Sequence, residues 1–170
     1  MGPGTKGGVA LYGRASLNAK SRSESSAKKL GLSTVDGGLN ARNALKHCIQ
    51  ACDLCLNAGD RDAKVYGDDH ETTDPSNYHD DKVDADTEDS SSWLDGKGAP
   101  KSPMAMDLHN NMAGRKCCGI VASTLSPCES LSKYDRCQLC CEGKAADCGN
   151  GLNGSLTWYS PAATFTAANH

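Results

Sequence analysis

The chain has 170 residues, of which 38% are hydrophobic and 5% aromatic, with a single Phe, a mean hydropathy of −0.54 and a formal net charge of −3. That composition excludes a large apolar core and a dedicated, strongly basic nucleic-acid binder, and no stretch has the length and apolarity of a transmembrane segment. It suits one small domain with extensions that needs a staple besides its core, and no nucleic-acid partner is expected.

The staple is visible in the ten cysteines, Cys48, Cys52, Cys55, Cys117, Cys118, Cys128, Cys137, Cys140, Cys141 and Cys148. An even count in so polar a chain reads as a disulfide framework and an oxidising destination, with the pairing left open by the spacing.

Residues 1–37 are rich in Gly, Ser and Lys, and Lys6, Arg14, Lys20, Arg22, Lys28 and Lys29 face only Glu24 and Asp36. No apolar period is sustained, so the segment reads as a flexible basic linker. The opening MGPGTKGGVALYGRAS lacks the continuous apolar run of a signal peptide. Export is therefore expected to rely on a larger parent polypeptide or a dedicated secretion machine.

Residues 38–124 read as a helical domain. Between Asn40 and Ala58, Leu45, Cys48, Ile49, Cys52 and Leu56 fall at i, i+3, i+4, i+7 and i+11, one helical face, and Gly59 supplies a stop. Asp62 to Glu71 reads as a short second helix. Thr72 to Pro103 is acidic and loop-like. Its Asp84-x-Asp86-x-Glu88 run resembles the start of a calcium loop but lacks the glycine of the turn and closes on Asp95. Met104 to about Thr124 reads as a third helix that Pro127 ends. Residues 125–170 form a cysteine-rich segment and a tail with the strand-like pieces SLTWY and ATFTA. The fold class is mainly α, a small helical bundle with a cysteine-rich C-terminal segment.

The third helix carries the least ordinary chemistry. Asp107, Asn110, Asn111 and Gly114 fall at i, i+3, i+4 and i+7 on one face, and Gly114 leaves that face open to another backbone or a ligand. Asn and Gly are poor helix formers, and sequences accept such local costs at functional sites. Asn43 and His47 share a face of the first helix, and His70-Glu71 closes the second. Histidines and carboxylates on separate helices suit a bundle-interior acid–base site. The same donors include zinc-type ligands, but no metal-binding spacing joins them, so no metal is assigned and the cofactor stays open. Cys52-x2-Cys55 and Cys137-x2-Cys140 leave a zinc ribbon as a minority alternative to disulfides.

In order, Asn43-Ala44-x-Lys46-His47, then Ala63 with Gly67-Asp68-Asp69-His70-Glu71, then Met106-Asp107-Leu108-His109-Asn110-Asn111-x-Ala113-Gly114-Arg115 resembles the small helical domains at the C-termini of bacterial polymorphic toxins, Rhs-type proteins among them. The last string is also similar to a leucine-histidine-asparagine-asparagine segment of animal Wnt proteins. The resemblance spans about residues 40–118. Asp69 stands where the toxin pattern often has Ala, and Cys48 and Cys52 stand where it has small or aromatic residues. The resemblance implies a secreted or delivered effector, of the hydrolase or transferase type, acting on a phosphate-containing lipid headgroup or envelope lipid carrier, with a cognate immunity protein as partner. It implies His47, His70, Glu71, Asp107 and His109 as catalytic residues, and Asn43, Lys46, Asn110, Asn111 and Arg115 as substrate-binding ones. The alternative it leaves is a non-catalytic, disulfide-stapled binding module like the Wnt ligands.

Overall fold

A computed structural model of the chain describes residues 6–35, 40–73, 85, 90–95, 100–123, 131–143, 156–157 and 164–165. The protein is mainly α. Helices α1 (Lys6–Lys29), α2 (Ala41–Ala58), α3 (Asp60–Thr73), α4 (Ser90–Trp93), α5 (Pro103–Ser123) and α6 (Lys133–Cys141) are followed by β1 (Leu156–Thr157) and β2 (Thr164–Phe165). The two strands pair antiparallel, Leu156 opposite Phe165. No described helix is long and apolar enough to cross a membrane.

Helix α2 is the hub, with α5, α1, α3 and α6 all packed on it. Asn40 caps it, accepting a 3.1 Å hydrogen bond from the Asn43 amide. Gly59 ends it at φ 90°, a left-handed conformation that favours glycine, and donates its N–H to the Cys55 carbonyl at 2.8 Å. Helix α3 starts immediately, with Asp60 and Asp62 at the positive end of its dipole. The expected stripe of Leu45, Cys48, Ile49 and Cys52 is buried, and Ala44, His47, Gln50, Ala51, Asp53 and Leu54 are buried as well.

Helix α5 crosses α2 at very short range. A Cβ on Gly114 would lie 2.1 Å from the Cys48 carbonyl oxygen and 2.8 Å from the Ala51 Cβ. The open face at Gly114 is therefore filled by the backbone of α2. On another side of α5, Trp93 from α4 packs with Met104, Ala105, Leu108 and Met112 in a second small core. This anchors the end of the expected acidic loop, and the Lys101 amide adds a 2.9 Å bond to the Trp93 carbonyl. The Asp84-x-Asp86-x-Glu88 run lies outside the described residues.

The expected flexible linker is corrected by α1. Residues 6–29 are helical and pack on α2. Ala15, Ala19, Ser23, Ser26 and Ala27 recur near i, i+4, i+8, i+11 and i+12 and are buried. Such a stripe of small residues allows close helix approach but carries almost no hydropathy, so the usual amphipathic signal is missing. Two of its basic residues have partners on α6 and just beyond. Arg22 donates to Asp135 at 2.7 Å and Gln138 at 3.0 Å, and Lys29 donates at 3.0 Å to the buried Glu142, which also accepts from Ser26 at 2.7 Å.

Four disulfides tie α2, α5 and α6 together: Cys48–Cys141, Cys52–Cys137, Cys55–Cys118 and Cys117–Cys140. Cys128 and Cys148 lie outside the described residues. The zinc-ribbon alternative fails on this pairing, because Cys52 bonds Cys137 while Cys55 and Cys140 are committed to Cys118 and Cys117.

The packing sets three tests. Gly114→Ala should destabilise the oxidised protein by about 3 kcal/mol or more, the upper end for overpacking, because a backbone carbonyl must yield; urea denaturation measures it. Replacing Cys52 and Cys137 together with Ala should cost about 2–3 kcal/mol, since Cys48–Cys141 one turn away keeps the effective loop short. Reduction of all the bridges should unfold the chain, as read by circular dichroism with and without thiol.

Candidate functional site

Three helices each bring one ionisable side chain to a common point. His47 comes from α2, Glu71 from the last turns of α3 and Asp107 from the first turns of α5, and their exposures are 5%, 1% and 5%. The imidazole lies between the carboxylates. Its Nδ1 is 3.3 Å from Glu71 Oε1 and its Nε2 is 3.3 Å from Asp107 Oδ1.

Two asparagines one helical turn away complete the cluster. Asn43, four residues before His47, donates to Asp107 Oδ1 at 3.2 Å. Asn111, four residues after Asp107, places its Oδ1 3.2 Å from His47 Nδ1 and donates to Glu71 Oε1 at 3.2 Å. Gly67, one turn before Glu71, makes room, because a Cβ there would stand 3.2 Å from the Asn111 amide nitrogen. Asparagines within helix interiors are unfavourable locally, and here their amides satisfy buried charge.

The electrostatics separate the three groups. Burial opposes charging His47, but the Asp107 and Glu71 carboxylates outweigh it and hold the imidazole above its ordinary 6.5. Burial also works against ionised Glu71, yet the charge and hydrogen bond of His47, with help from His70 and Asn111, bring it below its ordinary 4.5. Asp107 goes the other way. Desolvation dominates, His47 and Lys46 only partly offset it, and repulsion from Glu71 with a hydrogen bond to Glu71 leaves Asp107 pushed up to about 7. Near neutral pH the cluster thus holds an ionised Glu71, an Asp107 carboxyl close to half-protonation and a His47 imidazole that takes up a proton more readily than usual.

The other expected site residues lie elsewhere around this core. Lys46 is half-buried and close enough to act on both His47 and Asp107. His70 is half-buried, and its ring packs on Tyr12 of α1 with centroids 5.2 Å apart instead of joining His47. Arg115 is buried and directs its Nε to Asp60 at 3.4 Å, the start of α3. Asn110 is fully buried, and His109 is buried about 200° round the helix from Asp107, so a regular helix cannot aim both at one point.

Sequence reasoning missed Tyr12 and Gln50. With Ala51, Leu54, Gly67, Glu71 and Asn111 they line a crevice that reaches Glu71 and Asn111 and is too tight for a water molecule. Gln50 is buried beside it, and its Nε2 has no hydrogen-bond partner. Gln50 lies three residues after His47 on α2, which is the signal that could have pointed to it.

No protein-family model matches the chain, and neither a curated protein nor a solved structure matches it.

The pKa shifts make a signed prediction. A raised carboxyl contributes most below its unfolded pKa, so Asp107's contribution is complete below about 3.8 and fades as pH rises to about 7. His47's contribution is complete below 6.5 and is lost as pH rises through its raised value. Glu71's is present above 4.5 and is lost as pH falls through its lowered value. Between pH 4.5 and 7 the cluster should therefore lose stability with rising pH. The slope should reach up to about 1.4 kcal/mol per pH unit, one proton's worth. Asp107→Asn should flatten it. Denaturant titrations at stepped pH, wild type against variant, measure both.

Proposed function

We propose that this chain is a disulfide-stapled effector domain, of the hydrolase or transferase type, that acts on a phosphate-bearing lipid headgroup or envelope lipid carrier. The observation that carries the reading is the buried His47 imidazole held between two carboxylates of opposite pKa shift. Groups pushed apart in this way divide acid and base work. The His47 imidazolium donates its proton to the departing oxygen of a phosphoester. Asp107, near half-protonation at neutral pH, takes a proton from the attacking hydroxyl. Glu71 stays ionised and stabilises the imidazolium. Lys46 supplies positive charge beside them, and the unpartnered Gln50 N–H offers a bond to a substrate oxygen. Arg115 and His109 have no part in this scheme, and His70 stands beside Tyr12 at the crevice.

The toxin-like order of motifs supports the effector reading, and the four disulfides suit delivery to an oxidising compartment. The cognate immunity protein belongs to the same proposal. One observation favours a second reading, a Wnt-like binding module: the crevice beside Glu71 and Asn111 admits no water.

Expression in the periplasm of a bacterial host separates the two. His47→Ala and Asp107→Asn should each reduce toxicity and lipid turnover by about 100-fold or more, the usual range for removing a general acid or base. Gln50→Leu should reduce them less. Undiminished toxicity from a folded, oxidised His47→Ala protein would defeat the catalytic reading in favour of the binding module.

A further inference from the structure

We propose that His47, Glu71 and Asp107 form a binding site for a single divalent cation of the Mn2+ or Zn2+ class. The inference deepens the catalytic reading and rests on it for the ion's use, although binding itself is measurable without any substrate.

The geometry is that of a ligand set. One nitrogen and two carboxylate oxygens, each from a different helix, all lie within 4.8 Å of one another, and all three residues are buried. The imidazole-to-carboxylate distances are both 3.3 Å. Ligand atoms that share an ion at roughly 2.1 Å are separated by about 3.0–3.4 Å along the edges of a tetrahedral or octahedral shell. The two 3.3 Å contacts are made at opposite ring nitrogens, so one carboxylate must turn toward the ligating nitrogen, and the 4.8 Å span of the three donor atoms keeps that movement local. With Nε2 ligating on the Asp107 side, Nδ1 keeps the Asn111 amide oxygen at 3.2 Å as its outer partner. That outer bond is what orients metal-bound histidines in general.

Charge favours the same conclusion. Two carboxylates in contact inside a desolvated bundle must be neutralised, and among the described residues the half-buried Lys46 is a further cation that acts on both His47 and Asp107. A divalent ion replaces the protons that otherwise hold the pair together and releases them to solvent. The donor set selects the class of ion. An imidazole with few oxygens suits Mn2+ or Zn2+ better than Ca2+, which takes six to eight oxygens, or Mg2+, which retains waters. The adjoining crevice has no room for such waters. The eight described cysteines are all in disulfides and do not compete as thiolates.

The test uses the full oxidised chain, stripped with a chelator. Mn2+ is titrated while the EPR signal of the free ion is followed, and Zn2+ is titrated by calorimetry. A single saturating ion and a raised melting temperature are expected. Glu71→Gln and Asp107→Asn keep the shape of the site and should each weaken binding about 100-fold or more, with circular dichroism unchanged. No saturable binding of either ion overturns the proposal, as does equal affinity in both variants. Toxicity that needs His47 in a chain that binds no ion would overturn the cation site while leaving the catalytic reading intact. Stoichiometric, carboxylate-dependent binding in a non-toxic chain would support the site and remove the catalytic reading.

Discussion

The close crossing of α2 and α5 at Gly114 is the constraint on which the rest depends. With no side chain at that position, the Cys48 carbonyl of α2 comes to where a Cβ of α5 would stand, 2.1 Å away. His47 precedes Cys48 in sequence, and Asp107 stands two turns before Gly114 on the same face of α5. Fixing the two backbones there sets the 3.3 Å separation of His47 and Asp107, and Asn43 and Asn111 then meet the opposite helix one turn to either side. A longer interaxial distance would leave two buried carboxylates without the imidazole and amides that satisfy them, a costly arrangement in a low-dielectric interior.

The bundle reaches this tight packing with little aromatic material. Leu45, Ile49, Leu54, Met106 and the cysteines fill the main core, and Trp93 closes a smaller one. The bridges replace apolar area that the composition does not provide. Cys48, Cys52 and Cys55 run along one side of α2 at i, i+4 and i+7; the first two bond Cys141 and Cys137 of α6, the third bonds Cys118 of α5, and Cys117 of α5 closes on Cys140 of α6. The hydrophobic stripe read from the sequence and the bridging surface are therefore the same surface.

Much of this was legible because it depends on local periodicity. The boundaries of α2 and α5 follow from Asn40, Gly59 and the run after Pro103, and the polar face of Asp107, Asn111 and Gly114 follows from helical spacing. What escaped the sequence reading depends on partners distant in the chain. Helix α1 hides its contact surface in Ala and Ser, whose burial has no hydropathy signature, and its basic residues look solvated until Asp135, Gln138 and Glu142 are placed beside them. Arg115 and His70 read as site residues because they adjoin the motif in sequence. Only the packing sends one to Asp60 and the other to Tyr12. Gln50 is an isolated Gln among apolar neighbours, and its spacing of three residues from His47 is the one trace it leaves in the sequence.

The cross-links are unevenly distributed. Every described bridge lies among α2, α5 and α6, whereas α1 and α3 contain no cysteine. His47 and Asp107 therefore ride on a covalently locked half of the molecule, and Glu71 rides on a half held by side-chain contacts alone. The crevice lined by Tyr12, Gln50 and Glu71 runs along the seam between the halves. Low-energy local opening is expected to concentrate on α1 and α3, which no bridge holds. The same asymmetry sets the cluster across two kinds of construction: the His47–Asp107 pair stands on the sulfur-stitched side, and Glu71, with the crevice beside it, stands on the side without cross-links.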